Sequence, residues 1–167
     1  EENQLTTLPD SIGNLTNLYS LDVEENENLV INRSLLDRIR KNQEELVQER
    51  IQEALDTDAT KFELMDTTQL TSLPDSIGSL TNLKEIQVFY NRSLSRLPDS
   101  IGNLTNLTDL LIFNTSLSRL PDSIGNLNDL VVLDVMWSNL TTLPDSIGSL
   151  TNLKELNVAG NQLTTLP

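Results

Sequence analysis

Apolar residues along Leu143–Thr165, LPDSIGSLTNLKELNVAGNQLTT, fall in an order that recurs along nearly the whole chain. In Leu153-Lys-Glu-Leu156-Asn-Val158 they alternate with polar residues at the end of the run, the period of a half-buried strand. The alternation sends Leu153, Leu156 and Val158 inward and leaves Glu155, Asn157 and Ala159 facing out. Asn161 follows where a side-chain amide satisfies the backbone of a tight turn, and Leu163 and Leu166 return the chain to the core. Pro144 suits the first position of a helical turn, where its missing N–H costs nothing. Gly148 suits the position after that turn, where a positive φ is often required. Ile147 and Leu150 close the unit against the core.

The hexapeptide LPDSIG begins at Leu8, Leu73, Leu97, Leu120 and Leu143, and Leu166-Pro167 opens a further copy. The last spacings are 24, 23, 23 and 23 residues. A fixed period of this size predicts a solenoid, and because one unit cannot bury its own apolar set, stacking on neighbours is obligatory. Strand motifs starting at positions 18, 59, 83, 107, 130 and 153 predict six parallel strands. The first is Leu18-Tyr-Ser-Leu21-Asp-Val23, with Asn26 at its turn.

One unit departs from the pattern. After Leu29, LPDSIG is replaced by SLLDRIRKNQEELVQERIQEAL, Ser34 to Leu55. Leu35, Leu36, Ile39, Leu46, Val47, Ile51, Ala54 and Leu55 recur at helical spacing as one stripe, which predicts an amphipathic helix. Ser34 with Asp37 three residues on reads as a capping box. Asp37–Lys41, Arg40–Glu44 and Lys41–Glu45 have the i, i+4 spacing of ion pairs on its wet face. The spacing of 41 between the first two strand starts equals a 24-residue unit plus 17 residues, which places the insertion in a return path on the convex side. Either the helix covers core where the usual turn is missing, or it has a separate partner-binding or hinge role. A tertiary amphipathic helix is packed as a rule, which favours the first.

Composition narrows the chemistry. The chain has 167 residues, no cysteine and no histidine. Disulfides, thiolate nucleophiles and the usual general base at neutral pH are therefore absent. No apolar run reaches the roughly 18 residues that span a bilayer. The net charge of −14 disfavours nucleic acid and anionic membrane as partners and permits a basic one. Acidic columns invite a calcium site or an acid–base pair, but no D-x-D-x-D-G loop and no catalytic constellation accompanies them. No metal, no cofactor and no enzyme activity are expected. Glu1-Glu2-Asn3-Gln4-Leu5 matches Ala159 to Leu163, so the sequence opens inside a unit without a polar cap. The expected organisation is a single domain over 1–167, an excerpt of a longer array or an array without its caps, with a helical insertion about 30–58; a monomer is expected. Sequons at Asn14, Asn32, Asn91, Asn103, Asn106, Asn114 and Asn139 are a by-product of the repeat, and Asn91 falls on an inward turn position. Seven sequons without disulfides fit a bacterial or cytosolic protein better than a secreted eukaryotic one.

LPDSIGNLTNL followed by LxLxxNxL resembles the leucine-rich repeats of the 23-residue class, over nearly the whole chain. The near-identity of the units, with a helical interruption, is similar to bacterial members. The resemblance implies a right-handed α/β solenoid with a parallel concave sheet, short helical turns on the convex side, and a protein or peptide partner bound by the concave face. It equally allows the chain to be the substrate-recognition portion of a larger enzyme, such as a bacterial effector ubiquitin ligase or a Roco-type GTPase. The departures are the inserted helix, the absent caps, and Thr67, Thr115 and Ser138 at asparagine positions.

Stacked strands lie about 4.8 Å apart, so equivalent outward positions form columns. The third column reads Ser20, Lys61, Glu85, Asp109, Val132, Glu155, and the fifth reads Asp22, Glu63, Gln87, Leu111, Asp134, Asn157. The seventh reads Glu24, Met65, Phe89, Phe113, Met136, Ala159, and the eighth reads Glu25, Asp66, Tyr90, Asn114, Trp137, Gly160. Nothing in the repeat demands apolar residues in the last two. Met65, Phe89, Tyr90, Leu111, Phe113, Val132, Met136 and Trp137 are therefore the candidate partner-binding patch, rimmed by Glu85, Asp109, Asp134 and Glu155. The competing reading is that these side chains stack along the ladder and only stabilise it, or lie under a flanking segment.

Overall fold

A computed structural model of the chain describes residues 4–18, 21, 23, 26, 28–67 and 69–167. The alternation read from the sequence becomes five short parallel strands: β1 Lys61–Met65, β2 Glu85–Phe89, β3 Asp109–Phe113, β4 Val132–Met136 and β5 Glu155–Asn157. They form one sheet in the order β1-β2-β3-β4-β5 with no register slip, pairing Lys61 with Glu85, Glu85 with Asp109, Asp109 with Val132 and Val132 with Glu155. Register is held because a slip by one residue would turn Phe62, Leu64, Ile86, Val88, Leu110, Ile112, Leu133 and Val135, all buried, out to solvent. The remaining expected strand, Leu18 to Val23, includes Tyr19, Ser20 and Asp22, which lie outside the described residues, as do Glu24 and Glu25.

Each LPDSIG forms a short 3-10 turn on the convex side: Asp10–Asn14, Asp75–Ser79, Asp99–Asn103, Asp122–Asn126 and Asp145–Ser149. The proline sits one residue before the turn rather than at its first position, with its carbonyl accepting the isoleucine N–H, as between Ile147 and Pro144 at 3.0 Å. The glycine lies inside the turn, and Gly160 is the glycine with positive φ. The expectation of a left-handed Gly148 is thus corrected: stacking, not φ, demands glycine in this motif. A Cβ on Gly102 would stand 2.6 Å from the Ser123 carbonyl oxygen, and one on Gly78 would stand 2.5 Å from that of Ser100.

The inserted helix, α1, runs Arg33–Asp56, one residue beyond the predicted span at each end. Its cap is Asn32, whose Oδ1 accepts the Leu35 N–H at 2.7 Å, and not the Ser34–Asp37 box. Asn32 is itself held by Asp10 Oδ1 at 2.7 Å, a contact between units that local spacing does not reveal. The ion pairs described on α1 are Arg40–Asp37 at 3.3 Å and Lys41–Glu45 at 3.5 Å. Its buried stripe is Leu35, Ile39, Gln43, Val47, Ile51 and Ala54, while Leu55 is exposed. Gln43 belongs in that stripe because its Oε1 accepts the Gln69 N–H at 2.9 Å. Arg38 Nη2 donates to the Asp10 carbonyl at 2.5 Å and Ser76 Oγ to Gln48 Oε1 at 2.7 Å, so α1 bridges the turns before and after it. The helix fills the place of one missing 3-10 turn, and Val47, Ile51 and Ala54 join the buried cluster that contains Leu70, Leu73 and Ile77.

Buried polar side chains tie units together behind the sheet. Asn91, fully buried, donates to the Leu64 and Phe89 carbonyls at 3.0 and 2.7 Å and accepts the Thr67 N–H at 2.9 Å. Asn161, half-buried, makes a related set with the Val135 and Val158 carbonyls at 2.6 and 2.9 Å and the Leu140 N–H at 3.0 Å. Between them, Thr115 and Ser138 join hydroxyl to hydroxyl at 2.8 Å.

Candidate binding face

The strand alternation that buries the leucines leaves the other positions on the concave face, and the observed register turns the third, fifth and seventh positions into the expected columns. Met65 pairs with Phe89, Phe89 with Phe113 and Phe113 with Met136. Gln87 pairs with Leu111 and Leu111 with Asp134. Trp137 is 60% exposed, Tyr90 43% and Met65 40%. Phe89, Leu111, Phe113, Val132 and Met136 are half-buried, because neighbours in a ladder cover one another's flanks. The Tyr90 and Phe113 rings meet edge-to-face with centroids 5.4 Å apart.

The eighth column has a property that the repeat pattern did not reveal. Asp66, Tyr90, Asn114, Trp137 and Gly160 all have positive φ, between 49° and 70°. The first four continue the ladder by donating their N–H to the seventh-position carbonyl of the next unit, as Tyr90 does to Phe113 at 2.9 Å and Trp137 to Ala159 at 2.9 Å. Gly, Asn and Asp are the residues that tolerate this region, so Gly160, Asn114 and Asp66 are locally expected. Tyr90 and Trp137 are bulky and are not. The chemical identity of the other three was the available sequence signal. The Trp137 ring lies over the bare Gly160 backbone, where an added Cβ would stand 2.8 Å from Trp137 Cδ2 and Cε3.

Carboxylates occupy the other side of the face. Lys61 is 2.6 Å from Glu63 Oε1 and 3.4 Å from Glu85 Oε1. The Glu63 hydrogen bond, with that of Glu85, raises the Lys61 pKa above its ordinary value against some dehydration. Gln87 also donates to Glu85. Asp109 Oδ2 accepts from Thr108 Oγ1 at 2.6 Å. Burial pushes the Asp134 carboxyl above the usual carboxylate value, Glu155 adds to the rise, and the Asn157 amide at 3.3 Å opposes it. Asp134 Oδ1 is buried without a hydrogen-bond partner.

A second concavity, about 740 Å³, lies away from this face, between α1 and three successive turns. Glu44, Gln48, Arg96, Arg119, Asp99 and Asp122 are among its lining residues. None of these was a candidate from the sequence. Among the described residues no group of three or more His, Cys, Asp or Glu stands close enough to hold a metal ion. No described helix is long and apolar enough to cross a membrane.

No family model and no curated protein matches the chain. Among solved structures it is similar to the Leptospira interrogans leucine-rich repeat protein LIC12759, at 31% identity over 70% of this chain and 36% of that one, with a TM-score of 0.49. It is similar to the leucine-rich repeat domain of the type III effector XopL, at 20% identity, covering 90% of this chain and 64% of that one, with a TM-score of 0.54. A chain of the Toll–Spatzle complex, a molecular hub in Drosophila development and innate immunity, is 24% identical over 97% of this chain and 20% of that one, with a TM-score of 0.57. The chain thus spans 36%, 64% and 20% of the lengths of these structures. Together with the parallel sheet and the repeated turns, the likeness to the XopL domain establishes a leucine-rich-repeat fold.

Proposed function

We propose that the chain is a protein-interaction scaffold without catalysis of its own, and that a protein or peptide partner docks across β1–β4 on the concave face. The observation that carries this reading is the pair Tyr90 and Trp137. Both are large, exposed and held in a backbone region that suits glycine or asparagine. Strain retained at an exposed aromatic points to a use outside the fold. Met65, Phe89, Phe113 and Met136 extend the surface along the stack, and tryptophan and tyrosine are enriched among residues that dominate binding energy. Phosphate-bearing partners are disfavoured by the charge of −14. Beside a catalytic domain in a longer chain, the same face would select that enzyme's substrate, and this chain alone would then bind without turnover.

The test is a selection of displayed peptides against the immobilised chain, followed by affinity measurement on variants. Trp137→Ala and Phe113→Ala should each weaken selected ligands by about 2 kcal/mol. Unchanged affinity for both variants would move the site off the concave face.

A further inference from the structure

Resting on that reading, we infer that the partner segment is a basic amphipathic helix lying along the stack of strands, its apolar stripe on the aromatic columns and its lysines or arginines over the carboxylates. The face is polarised. Glu85, Asp109 and Glu155 occupy the third column, which begins at Lys61 and is interrupted by Val132, and Met65, Phe89, Phe113 and Met136 occupy the seventh, with Trp137 and Tyr90 beyond them. Four residues of strand separate the two columns, about 13 Å. A helix with its side chains is about 10–12 Å across, so it fills this width and touches both columns at once. The span from β1 to β4 is three strand spacings, about 14 Å, or about ten residues of helix. An extended peptide running the same way sends alternate side chains away from the surface and cannot cover two rows so far apart.

Charge selects the sign. Among the described residues the outward carboxylates on the strands are Glu63, Glu85, Asp109, Asp134 and Glu155, and the one outward strand cation, Lys61, is already held by Glu63 and Glu85. Lys84 and Lys154 stand one residue outside β2 and β5. Asp134 lies between the two rows, paired across the ladder with Leu111 and Asn157, and its Oδ1 accepts no hydrogen bond.

The experiment uses three labelled synthetic peptides of about 18 residues. One has leucines at i, i+3, i+4 and i+7 with lysines elsewhere, the second is its scrambled isomer, and the third carries glutamate in place of lysine. Trp137 is the chain's only tryptophan, so its emission reports occupancy of the face directly, alongside peptide polarisation. The basic helix should shift Trp137 emission to the blue and bind roughly tenfold tighter than its scrambled isomer, while the acidic peptide should not bind. Asp109→Lys should weaken binding roughly tenfold, and Asp109→Asn should weaken it less, with thermal unfolding followed by circular dichroism to show that both fold. Equal binding of the scrambled isomer, or no binding of the basic helix, overturns the inference. An Asp109→Lys variant that folds and binds as the parent does overturns it too. A Trp137 response to the acidic peptide overturns the assigned charge while leaving the concave site standing. Tight binding that leaves Trp137 emission unmoved overturns the inference and the concave site together.

Discussion

Replacing Trp137 with asparagine separates the two explanations of the aromatic patch. The indole is 60% exposed, so about two-fifths of its surface is covered. For a side chain of about 250 Å², that is about 100 Å² of contact, or about 2.5 kcal/mol at 25 cal/mol per Å². A denatured chain that already hides some apolar area lowers this to about 2 kcal/mol. Against the loss stands relief of a left-handed backbone under a bulky residue, about 1–2 kcal/mol, most of which asparagine recovers. The expected net change is a loss of about 1 kcal/mol or less. Leu133→Ala, on the buried side of β4, the strand just before Trp137, should cost about 2–5 kcal/mol. Urea unfolding followed by circular dichroism measures both, and peptide affinity is read on the same preparations. Near-parent stability with affinity lost identifies the indole as a binding group. A drop of more than about 2 kcal/mol for Trp137→Asn would mean that its packing over Gly160 holds the sheet together, and the binding argument built on its strain would fall.

Gly102→Ala forces a Cβ to within 2.6 Å of the Ser123 carbonyl oxygen and should cost about 1–3 kcal/mol or more. Gly148→Ala meets no atom within 4 Å and has no positive φ to strain, so it should be neutral or gain about 0.4–1 kcal/mol; equal urea midpoints for the two would refute the stacking explanation. Asn91→Ala strands the Leu64 and Phe89 carbonyls and the Thr67 N–H and should cost about 3 kcal/mol, whereas Asn139→Ala on the surface should change the stability by at most about 0.5 kcal/mol, both read from urea unfolding. Because burial raises the folded pKa of Asp134, its contribution to stability is fully present below the ordinary carboxylate value and declines as pH rises through the folded one. Asp134→Asn should therefore be more stable than the parent at neutral pH, with the advantage shrinking in acid; an advantage that grows in acid would reverse the assignment.

The strands, their order and the columns were legible because a fixed 23- or 24-residue spacing leaves only one register that keeps Ile86, Leu110 and Leu133 buried. Features decided by contact between units were not. Asn32 and Ser34 are both good helix caps, and the Asn32 contact with Asp10 in the previous turn favours the first. Leu46 and Leu55 look like core in a helical count, but the stripe that meets the turns runs through Gln43, whose polarity is answered by a backbone N–H on the far side of β1. The glycine of LPDSIG looks like a conformational need, yet its reason is the Ser123 carbonyl above Gly102, an atom that belongs to another repeat. The eighth column lies between these cases. Its left-handed backbone is written in Asp66, Asn114 and Gly160, and hidden by Tyr90 and Trp137. Those two exceptions to the backbone rule are also the most exposed of the described aromatics. An aromatic at that position raises the energy of the backbone by about 1–2 kcal/mol, which its partial packing does little more than offset. Two independent departures, one conformational and one of solvation, thus fall on the same side chains, which is where a surface shaped for a partner rather than for the solenoid would put them.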